Sequence, residues 1–182
     1  DSEDAEKIIE TVVAIAPTFG AIQLEDIKAP ECFYIEDELR RRLDIPVLHD
    51  DQHGTAVVTL AALINAAKFA EKELKGVSVG QIGLGAAGIG ISKLLATYGI
   101  KNRRGADLNP SAQVMFAETG GQVSNLEEIM ATCDVIIATT GVKGLIKPEM
   151  VREGQIILAL SNPEAEIAPE EALKSGAAFA AD

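Results

Sequence analysis

Apolar and polar positions recur along this chain in two different periods, and the shift between them marks out its elements. Asp4, Lys7, Glu10 and Thr11 interleave with Ile8, Ile9, Val12, Val13 and Ile15 at helical spacing, and Pro17 ends the segment. Thr18 to Leu24 reads as a short strand that delivers Glu25-Asp26. Pro30 and Cys32-Phe33 are expected in a loop, followed by a charged helix from Ile35 to Leu43 whose Arg40, Arg41 and Arg42 lie on the solvated side. Ile45 to Leu48 is an apolar entry to the polar burst His49-Asp50-Asp51-Gln52-His53. Ala56 to Leu74 then predicts a long helix that starts after Gly54 and is capped by Gly76.

The second half alternates strands with helices. Val77 to Ile82 is a β-rich run entering Gly83-Leu84-Gly85-Ala86-Ala87-Gly88, and Ile89 to Tyr98 continues as a helix that Gly99 stops. Leu126 to Thr132 predicts a short helix, Asp134 to Thr139 a buried strand, and Gly141 a turn. Gln155 to Leu160 is a second buried strand, ending at Ser161-Asn162-Pro163. Pro169 to Lys174 opens a helix with proline in its first turn and acids near its N-terminus. This order predicts an α/β fold: a doubly wound parallel sheet with helices on both faces, forming a Rossmann-like dinucleotide-binding domain over residues 56–182. Residues 1–55 form a helical and strand segment beside it.

One interval resists the scheme. Ile100 to Asp107 places Arg103 and Arg104 where a βαβ unit needs an aliphatic second strand. Either that strand is degenerate or about a dozen residues are missing here, and omission is the expected explanation. Asp107 lies where a ribose-binding acid falls after a second strand.

Composition narrows the chemistry. Hydrophobic residues make up 47% and charged residues 24%, which places the chain among globular proteins rather than disordered ones. No apolar run reaches membrane-spanning length and no signal segment opens the chain, so a cytoplasmic location and no membrane partner are expected. The formal net charge of −12 argues against nucleic acid as a partner. Cys32 and Cys133 stand far apart, without metal or disulfide spacing.

Two kinds of chemistry are written into the motifs. Gly83 to Gly88 matches G-x-G-x-x-G between a strand and a helix, the context in which glycines admit a pyrophosphate to a helix N-terminus. Glu25, Asp26 and Asp51 offer hard oxygen donors at the ends of apolar runs, suited to Mg²⁺ or Mn²⁺; exposed turn acids are the alternative reading. His49 and His53 have the spacing of a zinc helix, but Asp50 stands where that motif has glutamate and Pro46 lies just upstream. Both histidines are therefore read as hydrogen-bonding supports or solvent-facing residues.

Taken together, Thr18-Phe19-Gly20, Leu24-Glu25-Asp26-Ile27, Ala29-Pro30-Glu31-Cys32-Phe33, Ile45 to Ala56, Gly85-Ala86-Ala87-Gly88-Ile89 and Ala159-Leu160-Ser161-Asn162-Pro163-Glu164 resemble the malic enzymes in their shorter bacterial form. The resemblance runs over nearly the whole chain and is weakest between Ile100 and Gln122. It implies metal-dependent oxidative decarboxylation of L-malate to pyruvate and CO₂ with reduction of NAD or NADP. It further implies that Glu25, Asp26 and Asp51 hold the metal and that Asp50 supports the catalytic groups. Gly83, Leu84, Gly85, Ala86, Ala87, Gly88, Ile89, Thr140 and Gly141 would bind the cofactor, and Asn162 would approach both nicotinamide and substrate.

The family places a lysine base and a tyrosine acid in an N-terminal domain, and Lys7, Lys28, Tyr34 and Tyr98 match neither motif. The chain is therefore expected to bind without turning over, and to belong to a homodimer or higher homo-oligomer. Arg103-Arg104 can be read as meeting a 2′-phosphate or as a solvated loop; NAD is the expected cofactor, with NADP the alternative. Another NAD-dependent hydroxy-acid dehydrogenase and a non-catalytic nucleotide-binding module are the competing readings.

Overall fold

A computed structural model describes residues 2–182. The first helix, α1 (Ala5–Ile15), starts where the Asp4 carboxylate accepts from the amides of Glu6 and Lys7 at 3.0 and 3.4 Å. After β1 (Ile22–Leu24) comes α2 (Glu31–Arg42), which begins four residues earlier than expected. Cys32 and Phe33 are thus helical rather than in a loop. Cys32, Ile35, Glu36 and Leu39 follow one another at helical spacing and form the buried stripe of α2. Strand β2 (Val47–His49) pairs in parallel with β1, Leu24 opposite His49. Ile9, Leu24, Ile35, Leu39 and Val47 close a small core of their own.

The long helix α3 (Asp50–Phe69) opens directly at the polar burst, six residues ahead of the expected start, and ends at Phe69. Asp50 and Asp51 in its first turn meet the positive end of the helix dipole, which outweighs the helix-breaking tendency of Gly54. Leu74–Gly76 form a separate 3-10 turn, so Gly76 does not cap this helix. Then follow β3 (Val79–Ile82), α4 (Ala86–Tyr98), β4 (Arg103–Ala106), α5 (Pro110–Glu118), β5 (Gln122–Val123), α6 (Leu126–Thr132), β6 (Val135–Ala138), β7 (Ile156–Ala159), α7 (Pro169–Lys174) and β8 (Phe179–Ala181).

These last six strands form one all-parallel sheet in the order β5-β4-β3-β6-β7-β8. The chain starts at the centre, winds outward to one edge, returns and winds to the other, which is the doubly wound arrangement. Val135 and Ile137 face α3 and α4, while Ile136 and Ala138 face α6 and α7. Burial on both faces explains why these strands read as unbroken apolar runs. Each fully buried Leu or Ile in these layers contributes about 1.5–3 kcal/mol by leaving water.

The expected omission near residue 100 is not borne out. Arg103 to Ala106 pair with Val79 to Ile82 residue for residue, so a second strand is present and in register. It looked wrong because its side chains are unusual. The buried Arg103 guanidinium donates to the carbonyls of Ile100, Ser92 and Thr119 and to two hydroxyls, and burial lowers its pKa. Arg104 bonds Thr132 and pairs with Glu128 at 3.4 Å. The space a side chain at Gly105 would take is filled by the Phe116 ring of α5.

Candidate functional site

The carboxyl ends of β3, β4 and β6 open on a cleft of about 650 Å³ at the point where the winding direction reverses. Gly83, Gly85, Asp107, Leu108, Asn125 and Thr140 are among its walls. Helix α4 begins at Ala86 with no side-chain cap, so its first amides are free to meet an anion. A Cβ on Gly88 would stand 2.0 Å from the Gly83 carbonyl oxygen, so only glycine lets the helix pack under the loop. Beneath it, buried Gln81 donates to the Gly83 carbonyl at 3.1 Å and to the Thr139 hydroxyl at 3.0 Å.

The residues expected at the cofactor divide into three groups. Gly83, Gly85 and Thr140 line the cleft, and Ala86 and Ala87 are half-buried at the start of α4. Leu84, Gly88 and Ile89 face inward, Leu84 and Ile89 packing with Phe116. Gly141 and Asn162 are exposed on the two loops beyond β6 and β7, outside the cleft wall. Asp107 joins the site: its Oδ2 accepts from the Leu84 amide at 2.7 Å and its Oδ1 from the Asn109 amide at 2.8 Å. Arg103 and Arg104 are spent on the contacts described above and do not line the cleft.

The acidic residues sit at the carboxyl ends of the β1–β2 pair. Asp26, held at a φ of 57°, donates its amide to Oδ2 of Asp51 at 3.1 Å. Glu25 turns away to accept from the Gln23 amide group at 3.0 Å. Asp50 lies over Gly54, where an added Cβ would stand 2.3 Å from its Oδ1. Among the described residues, no three His, Cys, Asp or Glu side chains converge on one metal position. In kind the donors nonetheless suit a hard cation, since three carboxylates stand at the ends of two paired strands.

Two buried carboxylates escaped sequence reasoning. Glu36, on the buried stripe of α2, accepts from the His49 amide at 3.2 Å and from Gln52 at 3.0 Å, and pairs with His53 at 2.7 Å. Its signal is a charge at an apolar position of the helix. His49 is fully buried; its Nε2 lies 3.3 Å from Asp51 Oδ2, but without hydrogen-bond geometry. Glu166 links the loops after β6 and β7, accepting from the Thr140 amide and hydroxyl and the Ser161 hydroxyl. Burial alone pushes its carboxyl up, yet these hydrogen bonds outweigh it and hold the group below its usual range. No local pattern announces it.

The acid turn and the glycine loop are physically joined. A Cβ on Gly90 would stand 2.4 Å from the carbonyl oxygen of Gln52, so α3 and α4 cross in backbone contact one residue beyond Asp51.

The family model for the malic enzyme N-terminal domain matches residues 1–40, and that for the D-isomer specific 2-hydroxyacid dehydrogenase NAD binding domain matches residues 48–147. The chain is 58% identical over 183 residues to NAD-dependent malic enzyme 1 of Bacillus subtilis, covering all of this chain and 42% of that protein. An alignment of that length over a 182-residue chain leaves no room for a dozen omitted residues. It is 40% identical to the NADP-dependent malic enzyme of Escherichia coli over 93% of this chain and 24% of that one. The crystal structure of the NAD-dependent malic enzyme of Thermotoga maritima superposes with a TM-score of 0.89 at 37% identity, over 100% of this chain and 52% of that chain. The chain thus spans about half the length of these relatives or less. Over its whole length the chain is similar to part of the malic enzymes, and its residues 48–147 belong to the NAD-binding domain family of the 2-hydroxyacid dehydrogenases.

Proposed function

We propose that this chain is the metal- and dinucleotide-binding part of an enzyme that oxidises L-malate with NAD and releases pyruvate and CO₂. Residues 1–55 carry the metal ligands and residues 56–182 the cofactor site, and α3 runs unbroken across that boundary. The observation that carries the reading is the Gln52–Gly90 contact, which fastens the acid turn to the helix that bears the glycine loop.

In this reading the free amides of α4 receive the cofactor diphosphate and Asp107 binds the adenosine ribose. Thr140, Gly141 and Asn162 approach the nicotinamide end. The carboxylate at Asp107, with both arginines committed elsewhere, favours NAD over a 2′-phosphorylated cofactor. Glu25, Asp26 and Asp51 would hold Mg²⁺ or Mn²⁺, which supplies Lewis-acid polarisation of the substrate oxygens. Asp50, packed over Gly54 beside them, supports the catalytic groups. Hydride passes from malate C2 to the nicotinamide, and the electron pair of the bond to the departing carboxylate stays on carbon and is then protonated. The general acid and base for these proton transfers are not assigned to residues of this chain.

The partners in this reading are malate and pyruvate, with assembly into a homodimer or larger homo-oligomer and a cytoplasmic location. Among the described residues no helix is long and apolar enough to cross a membrane. The test is malate-dependent NADH formation by the whole protein with Mn²⁺ or with EDTA. Metal-dependent pyruvate release supports the reading. Turnover of a different 2-hydroxy acid with none of malate replaces it with the dehydrogenase reading that the match to residues 48–147 favours.

A further inference from the structure

The ladder between β6 and β7 ends where the Leu160 amide donates to the Ala138 carbonyl at 2.9 Å. Beyond that point the two chains leave the sheet as loops, and the groups that hold them together converge on Glu166. Its backbone is fixed first: the Ile146 amide donates to the Glu166 carbonyl at 3.1 Å, and Gly144 to Ala165 at 3.3 Å. The side chain then reaches back, and Oε1 accepts from the Thr140 amide at 2.6 Å, the Thr140 hydroxyl at 2.7 Å and the Ser161 hydroxyl at 2.5 Å. Those hydroxyls relay the restraint outward. Ser161 Oγ accepts from the Gly141 amide at 2.8 Å, and Thr140 Oγ1 from the Val142 amide at 3.1 Å.

We propose that Glu166 is a positioning residue that sets the separation of the Thr140–Val142 and Ser161–Asn162 loops, and so holds the nicotinamide end of the cleft in its binding shape. The assignment rests on the function proposed above. It follows from the chemistry of the cluster. Three donors on one oxygen exceed its two lone pairs, so the grouping is held by negative charge and not by directed bonds alone. Glu166 is fully buried, and its Oε2 makes no hydrogen bond among the described residues. As a device for stability alone such a carboxylate is a poor choice, because a buried charge with an unpartnered oxygen carries a desolvation cost. What it adds is a single short-range anchor for two loops from different strands. The exposed Lys143–Glu164 pair bridges the same loops, where solvent leaves it little force.

The experiment compares Glu166→Gln, Ser161→Ala and wild type in the whole protein, by NADH titration, steady-state kinetics and Mn²⁺ affinity. Glutamine keeps the oxygen and the shape but removes the charge. Glu166→Gln is expected to raise the KM for NAD about tenfold and to lower kcat, with Mn²⁺ affinity unchanged. Ser161→Ala, a milder change, is expected to move the same two parameters about threefold. Ile129→Val on α6, a core change that removes no polar group from the cluster, serves as the control for lost stability. Values of KM and kcat within about twofold of wild type in both test variants, or equal changes in Ile129→Val, overturn the assignment. Where Glu166→Gln does not fold, Ser161→Ala decides alone. A wild-type protein that neither binds NADH nor oxidises malate refutes the functional reading itself, whereas one that does both beside unaltered variants refutes only the role of Glu166.

Discussion

The backbone amide of Leu84 donates to Oδ2 of Asp107 across 2.7 Å, tying the glycine loop after β3 to the end of β4. That bond leaves Asp107 on the wall of the cleft, where the proposed function puts the adenosine ribose. A 2′-phosphate brought there meets a carboxylate and no free guanidinium. Asp107→Ser is therefore expected to weaken NAD by about tenfold in kcat/KM and to improve NADP, narrowing the preference between them. Steady-state kinetics with both cofactors check it. An unchanged ratio would place the discriminating group elsewhere.

Arg103 tests the other half of that argument. Its guanidinium serves carbonyls at Ile100, Ser92 and Thr119 and is turned away from the cleft. Arg103→Met fills similar space but removes the donor that serves the Ile100 and Thr119 carbonyls, with a loss of about 3 kcal/mol in unfolding free energy. Urea unfolding measures the loss. The NAD to NADP ratio is expected to stay where it was, since a structural arginine has no part in it.

These two residues also show what the sequence could and could not convey. Val135-Ile136-Ile137-Ala138 and Ile156-Ile157-Leu158-Ala159 announce buried parallel strands because burial on both faces demands apolar side chains at every position. Arg103-Arg104-Gly105-Ala106 hides an equivalent strand, because a guanidinium can replace aliphatic packing only when distant carbonyls happen to surround it. Helix α5 lies in a stretch for which the sequence analysis names no element, although Asn109 caps it and Pro110 opens it. The acid pairs were legible as strand-end residues. Glu36 and Glu166 were not, because their partners lie 13 to 17 and 5 to 26 residues away and meet them only in the fold.

Gly88 is the position where a single methyl group is expected to separate fold from binding. A Cβ there stands 2.0 Å from the Gly83 carbonyl, which is backbone and has little room to yield. Gly88→Ala has to push α4 away from the loop, costing about 2 kcal/mol and displacing the amides that receive the diphosphate. NADH titration and thermal unfolding on the same sample check both effects. Full affinity in this variant would show that the third glycine is dispensable for the loop.

Asp134 gives the fold an acid-sensitive contact remote from the site. Burial pushes its carboxyl up, but the Ser78 amide at 2.9 Å and hydroxyl at 2.7 Å, helped by Lys72 and Arg152, outweigh burial and hold it down. The folded value lies below the unfolded one, near 3.8, so this contribution is complete above the unfolded value. It is lost as the pH falls through the folded value. Asp134→Asn is expected to cost about 1–2 kcal/mol at neutral pH, with the gap to wild type closing as the pH falls below 3.8 and through the lowered folded value. Urea midpoints across that range decide it, and a gap independent of pH would assign the loss to packing.

Asp51 carries the sharpest prediction about metal. Its Oδ2 already accepts the Asp26 amide, a bond that an asparagine oxygen can keep. Asp51→Asn should therefore leave the unfolding free energy within about 0.5 kcal/mol of wild type, as exposed polar exchanges do. A neutral amide is a far poorer ligand for a hard cation, so Mn²⁺ affinity is expected to fall about 100-fold and malate oxidation to disappear. Gln23→Ala works in the opposite sense: it releases Glu25 from its present partner and lets it turn toward Asp26 and Asp51 at no cost in hydrogen bonding. Tighter Mn²⁺ binding in Gln23→Ala together with its loss in Asp51→Asn would show that these strand ends form one site. Equal affinity in all three proteins would move the cation away from the β1–β2 pair altogether, and the acids at residues 25, 26 and 51 would then have no part in holding it.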